Sequence, residues 1–122
     1  MYRLLCLASI VGLLCLPLKV KAQNQTIELS DVQLAKTLSA VVHDPTDSPL
    51  SNVLVQEFDP KWKTVLRTST TDKTGRFSLA PVQGRRVYCL QLSTPGFDPL
   101  RVRVQVDSKR GTNLKLRLET AT

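Results

Sequence analysis

A chain of 122 residues has room for one domain and not comfortably for two. Its 17 Lys and Arg against 10 Asp and Glu leave a net charge of +7, which favours acidic surfaces without demanding nucleic acid. A single histidine speaks against a histidine-built zinc hydrolase.

The chain opens as an export signal opens. Arg3 supplies a positive start, and Leu4 to Leu16 is almost unbroken apolar sequence, too short to span a bilayer as a mature helix. Pro17 breaks the run, and Val20-Lys21-Ala22 offers the short side chains that a signal peptidase reads. Residues 1–22 are therefore expected to be a signal peptide cut after Ala22, and the product to be secreted or periplasmic with no membrane span left. An uncleaved anchor is the alternative. A lipid anchor fits poorly, because Cys6 follows Leu5 and Cys15 follows Leu14. Cleavage removes Arg3, Lys19 and Lys21 and no acid, so the net charge falls to +4. It also removes Cys6 and Cys15, leaving Cys89 with no partner for an internal disulfide. Stability must then come from the core.

Residues 23–37 begin Gln23-Asn24-Gln25-Thr26 and read as a polar linker or edge segment. Alternation follows, in short runs between turn formers. The first run is Leu38 to His43, ended by Asp44-Pro45-Thr46-Asp47-Ser48-Pro49. Val53 to Phe58 is the second, and Asp59-Pro60-Lys61 turns the chain. Thr64 to Thr71 is rich in Thr and Val, which suit a pleated surface. Asp72-Lys73-Thr74-Gly75 is a tight turn before Arg76 to Leu79. Gln83-Gly84-Arg85 turns into Val87 to Ser93, and Thr94-Pro95-Gly96-Phe97 turns again. Arg101 to Val106 and Leu114 to Glu119 alternate around Lys109-Arg110-Gly111-Thr112, predicting a closing hairpin.

Seven such strands predict an all-β, antiparallel Greek-key β-sandwich over residues 38–119. The expected inward set is Val53, Val55, Phe77, Leu79, Tyr88, Leu90, Leu92, Val102, Val104, Val106, Leu114, Leu116 and Leu118. A one-residue slip in the last two strands would bury Arg103 and Lys115, so their register is firmly set.

Several ordered pieces resemble one family. Ser39-Ala40-Val41-Val42-His43-Asp44 is similar to a "G-x-V-x-D" opening strand, and Ser48 to Val55 to a "G-x-P-L-x-G-V-x-V" segment. Thr71 to Phe77 is close to "T-D-x-x-G-x-F". Pro81 to Gly84 with Val87 to Leu90 resembles "L-P-x-G-x-Y-x-L", and Pro95-Gly96-Phe97 matches "P-G-F/Y". In this order they resemble the carboxypeptidase regulatory-like domain, a transthyretin-like β-sandwich. The resemblance implies a scaffold rather than an activity.

Chemistry is sought and mostly not found. His43 stands alone at a strand end, without a His-Glu-x-x-His pattern or a Gly-x-Ser-x-Gly elbow. Asp44, Asp47 and Asp72 are read as turn formers rather than calcium ligands. The chain ends Glu119-Thr120-Ala121-Thr122 and lacks the histidines of the transthyretin-like hydroxyisourate hydrolases. An isopeptide bond between Lys36 and Asn113 is set aside, because the proton-shuttling acid it needs would fall near Leu92. No catalytic residue, metal or cofactor is expected.

Candidate partner contacts remain. Arg101, Arg103, Lys115 and Arg117 would form a basic patch if the last two strands pair, with Arg85 and Arg86 extending it. That patch is either a solvated face or a contact for an acidic glycan, lipid headgroup or protein. Trp62 would stack on a sugar, anchor a partner, or lie as a lid over the end of the sandwich. Cys89 should face away from the core, as a half-covered apolar residue or in an intermolecular disulfide. The expected function is an exported, non-catalytic module binding an envelope protein or acidic glycan and no nucleic acid. It would be a monomer or weak homo-oligomer. A structural subunit assembled through strand edges or Cys89 is the alternative.

Overall fold

The computed structural model describes residues 25–121, so the expected signal peptide lies outside the described residues. Eight strands are described: β1 (Ile27–Glu28), β2 (Gln33–His43), β3 (Leu54–Phe58), β4 (Val65–Thr70), β5 (Arg76–Ser78), β6 (Val87–Ser93), β7 (Leu100–Val106) and β8 (Thr112–Arg117). No helix occurs among the described residues, as the unbroken two-residue period requires. One layer is the antiparallel run β4-β3-β6-β7. The other is β5-β2-β8. The long β2 belongs to both: Gln33–Ala35 pair with β7, and Ala40–His43 with β8 after a register shift.

Residues 23–37, expected as a linker or an edge segment, take the second form: β1 pairs with β7, Ile27 and Leu29 donate backbone N–H bonds to Pro99 and Arg101 carbonyls at 2.8 and 3.0 Å, and β2 already begins at Gln33. Two expectations need correction. The sheet is mixed rather than antiparallel, because β1 and β2 run parallel to β7, and β2 parallel to β8. The last two strands do not form a hairpin. Both run parallel to β2, one after the other along it. The Asp107–Gly111 turn is a step between layers, held down by the Asp107 N–H on the Ala35 carbonyl at 2.9 Å. Alternation marks which face a residue takes, but it is the same for parallel and antiparallel pairing.

The interior is one apolar cluster drawn from both layers. Every member of the expected inward set is buried in it except Val106 and Leu114, which pack against its margin. Each fully buried Leu or Val contributes roughly 1.5–3 kcal/mol relative to an exposed one. The turns repeat one device. Asp44, Asp59, Asp72 and Asp107 each aim Oδ1 at backbone N–H groups two to five residues ahead, at 2.7–3.0 Å. The Thr46 and Thr74 hydroxyls above all for Asp44 and Asp72, and the backbone amides above all for Asp59 and Asp107, bond the ionised form and hold all four carboxyls below their ordinary value of 3.8.

Candidate binding site

The β3–β4 turn places a large aromatic, Trp62, in an unusual backbone conformation. Asp59 starts it: its carbonyl accepts the Trp62 N–H at 2.9 Å, and its N–H reaches the Thr64 carbonyl at 3.0 Å. Pro60 suits the second position by its fixed φ. The chain then turns through Trp62 at a φ of 61°, a left-handed conformation that glycine takes freely and a Cβ-bearing ring takes at a cost. That cost is about 1–2 kcal/mol.

The turn folds Trp62 back over the outer face of the four-stranded layer. Its ring lies 5.7 Å from Phe58, tilted by 48°. The Arg101 guanidinium carbon is 4.8 Å from the ring centroid, and that of Arg103 is 5.5 Å. Both arginines point away from the core because Leu100, Val102 and Val104 take the inward positions of β7. Arg101 is steadied by its Nε bond to Gln91 Oε1 at 2.8 Å, and Arg103 by Glu28 at 3.0 Å. The Trp62 Nε1–H is buried and has no acceptor among the described residues. A buried orphan donor costs about 1–3 kcal/mol. Trp62 is thus not the lid on the end of the sandwich: it is a half-buried aromatic on an outer face, seated on two cations.

Three of the candidate residues, Trp62, Arg101 and Arg103, therefore meet; the others go elsewhere. Lys115 and Arg117 belong to the other layer, where they reach Asp47 at 3.4 Å and Glu119 at 2.7 Å. Their separation follows from β7 and β8 not pairing. Arg85 does not extend the patch. Its Nη1 donates to Glu57 at 2.6 Å, and its guanidinium lies 5.8 Å from the Tyr88 ring. Arg86 is exposed and gives its carbonyl to the Val106 N–H at 3.2 Å.

Cys89 faces outward from the core cluster yet is only 5% exposed. Its cross-strand neighbours are Phe58 and Arg103, the groups on which Trp62 rests, so the thiol is roofed. Burial pushes its pKa up, against a smaller pull downward from Arg103. An intermolecular disulfide needs an uncovered sulfur, which this conformation does not offer.

One buried charge escaped the sequence reading. Glu57 is 1% exposed, held by Arg67 and Arg85 at 2.6 Å each. Its position in step with Val53 and Val55 was the available signal. Among the described residues no three His, Cys, Asp or Glu side chains converge to hold a metal ion, and no helix is long and apolar enough to cross a membrane.

Comparison with known protein families matches residues 37–119 to the carboxypeptidase regulatory-like domain. No curated protein matches the chain.

Proposed function

The chain belongs to the carboxypeptidase regulatory-like domain family, and on that premise we propose that it is an exported, non-catalytic β-sandwich module that binds a protein or glycan partner at the cell envelope. The observation that carries this reading is Trp62. Its left-handed backbone, which a glycine would take without penalty, and its orphan Nε1–H both cost stability, and the turn that Asp59 caps does not need an indole at that position. Strain kept beside two guanidinium groups supports a recognition role. The balance of charge supports an acidic partner, because the carboxylates of Asp44, Asp59, Asp72 and Asp107 are engaged by backbone amides of their own turns.

The test is co-sedimentation of the purified protein with envelopes of its source cell. Trp62→Ala and the double variant Arg101→Gln/Arg103→Gln should lose binding, and rising salt should weaken it. Undiminished binding by both variants would remove the site from consideration.

The alternative, a subunit assembled through strand edges, draws on β4. Its outer edge pairs with no strand among the described residues, and it exposes Val65 and Leu66 without a Pro or Lys to guard it. Light scattering that shows only monomer at high concentration would dispose of that reading.

A further inference from the structure

Five side chains form one row across the outer face beneath Trp62. Cross-strand register aligns Thr68 with Gln56, Gln56 with Gln91, Gln91 with Arg101, and Arg101 with Glu28. The row crosses five strands, about 19 Å at the usual spacing between strands. Its groups are a hydroxyl, two amides, a guanidinium and a carboxylate, with no aliphatic side chain among them. The Gln91 Oε1 accepts from Arg101, which leaves the Gln91 amide nitrogen to donate outward. Arg101 makes no ion pair among the described residues, so its terminal nitrogens are available to an acceptor from outside.

We propose that this row and Trp62 bind an acidic polysaccharide, a chain of uronic acid sugars lying across the strands. The inference rests on the preceding reading and narrows its partner to one class. A uronate carboxylate pairs with the guanidinium of Arg101, a planar fork suited to a carboxylate, while Arg103, held by Glu28, adds its positive field beside it. Sugar hydroxyls exchange hydrogen bonds with Gln56, Gln91 and Thr68, whose groups both donate and accept. The apolar face of a pyranose ring packs on Trp62. An acidic peptide fits less well. Peptides that dock on sheets add a strand along an edge and drop alternate side chains into pockets, whereas this row runs across the strands on an open face.

Affinity electrophoresis and titration calorimetry on the full mature protein test this with four polymers: polygalacturonate, the same polymer fully methyl-esterified, alginate as a second polyuronate, and poly-glutamate of equal charge. Binding should favour the polyuronates over poly-glutamate by about tenfold or more and disappear on esterification. Trp62→Ala and Arg101→Gln should each weaken it about tenfold. Gln91→Ala should weaken it several-fold, and Lys115→Ala on the other layer should leave it unchanged. Equal binding of poly-glutamate, or insensitivity to Trp62→Ala and Gln91→Ala, overturns the glycan assignment in favour of charge alone. No binding to either polyuronate also overturns it. In that case Trp62-sensitive binding to envelopes would leave the broader reading standing, and its absence would end both.

Discussion

Glu57 and Arg67 stand directly opposite one another on β3 and β4, and the Arg67 Nε donates to Glu57 Oε1 across 2.6 Å at the inner side of the layer. Arg85 holds the second carboxylate oxygen. Removing the acid leaves two partly exposed guanidiniums without their shared acceptor, so Glu57→Ala should cost about 1–3 kcal/mol in urea unfolding. Glu57→Gln, which keeps the acceptor and loses the charge, should cost less. An alanine variant as stable as the parent would mean that water reaches this pair freely.

Trp62→Gly separates strain from packing. Glycine takes the left-handed turn without penalty, while the variant loses the ring's contacts with Phe58 and Arg101. The two effects oppose, so the melting temperature should move by only a few degrees. A fall of more than about 10 °C, corresponding to roughly 1–2 kcal/mol in a domain of this size, would make Trp62 a structural pillar instead.

The roof over Cys89 predicts slow chemistry. In the folded protein the thiol should react with an aromatic disulfide reagent far more slowly than in the unfolded chain, because it is covered and its pKa is raised by burial. Trp62→Gly should speed the reaction about tenfold or more by opening the cover. Immediate modification of the native parent would contradict the covered geometry.

Two glycines should behave differently. A Cβ on Gly111 would stand 2.3 Å from the Ala35 carbonyl carbon and 2.4 Å from the Asp107 oxygen, both rigid backbone. Gly111→Ala should therefore cost about 3 kcal/mol, or prevent folding. Gly84 has a φ of 83° but nothing within 4 Å of the added atom, so Gly84→Ala should cost only about 1 kcal/mol. Equal effects in the two variants would mean that the β7–β8 step does not press on β2.

Acid should unfold the protein through its turns. The carboxyls of Asp44 and Asp72 are lowered chiefly by the hydroxyls of Thr46 and Thr74, and those of Asp59 and Asp107 by the amides of Thr64 and Arg110. A folded pKa below the unfolded one means that the contribution is present above the ordinary value of 3.8 and is lost as pH falls through the folded value. Unfolding free energy should thus be level near neutrality and drop below about pH 4. Replacing the four by Asn, which still accepts from the amides, should flatten that drop. An unchanged acid limb would assign it to other carboxylates.

The two-residue alternation in the amino-acid sequence by itself determined most of the side chains that enter the core from Val53 to Leu118, Leu100 joining them unforeseen and Val106 and Leu114 staying at the margin, because burial selects one face of each strand and a slip would bury charge. The Asp and Gly turn positions were legible for a similar reason: their conformations are local. Only the tertiary structure decided that β7 and β8 follow one another along β2, which sent Lys115 and Arg117 to a different layer from Arg101 and Arg103. Likewise Trp62 takes its seat, and Cys89 its cover, from strands distant in the chain. Local pattern records a side chain's preference for water or core, but pairing direction and contacts on the outer face arise from residues that meet only after the chain has folded.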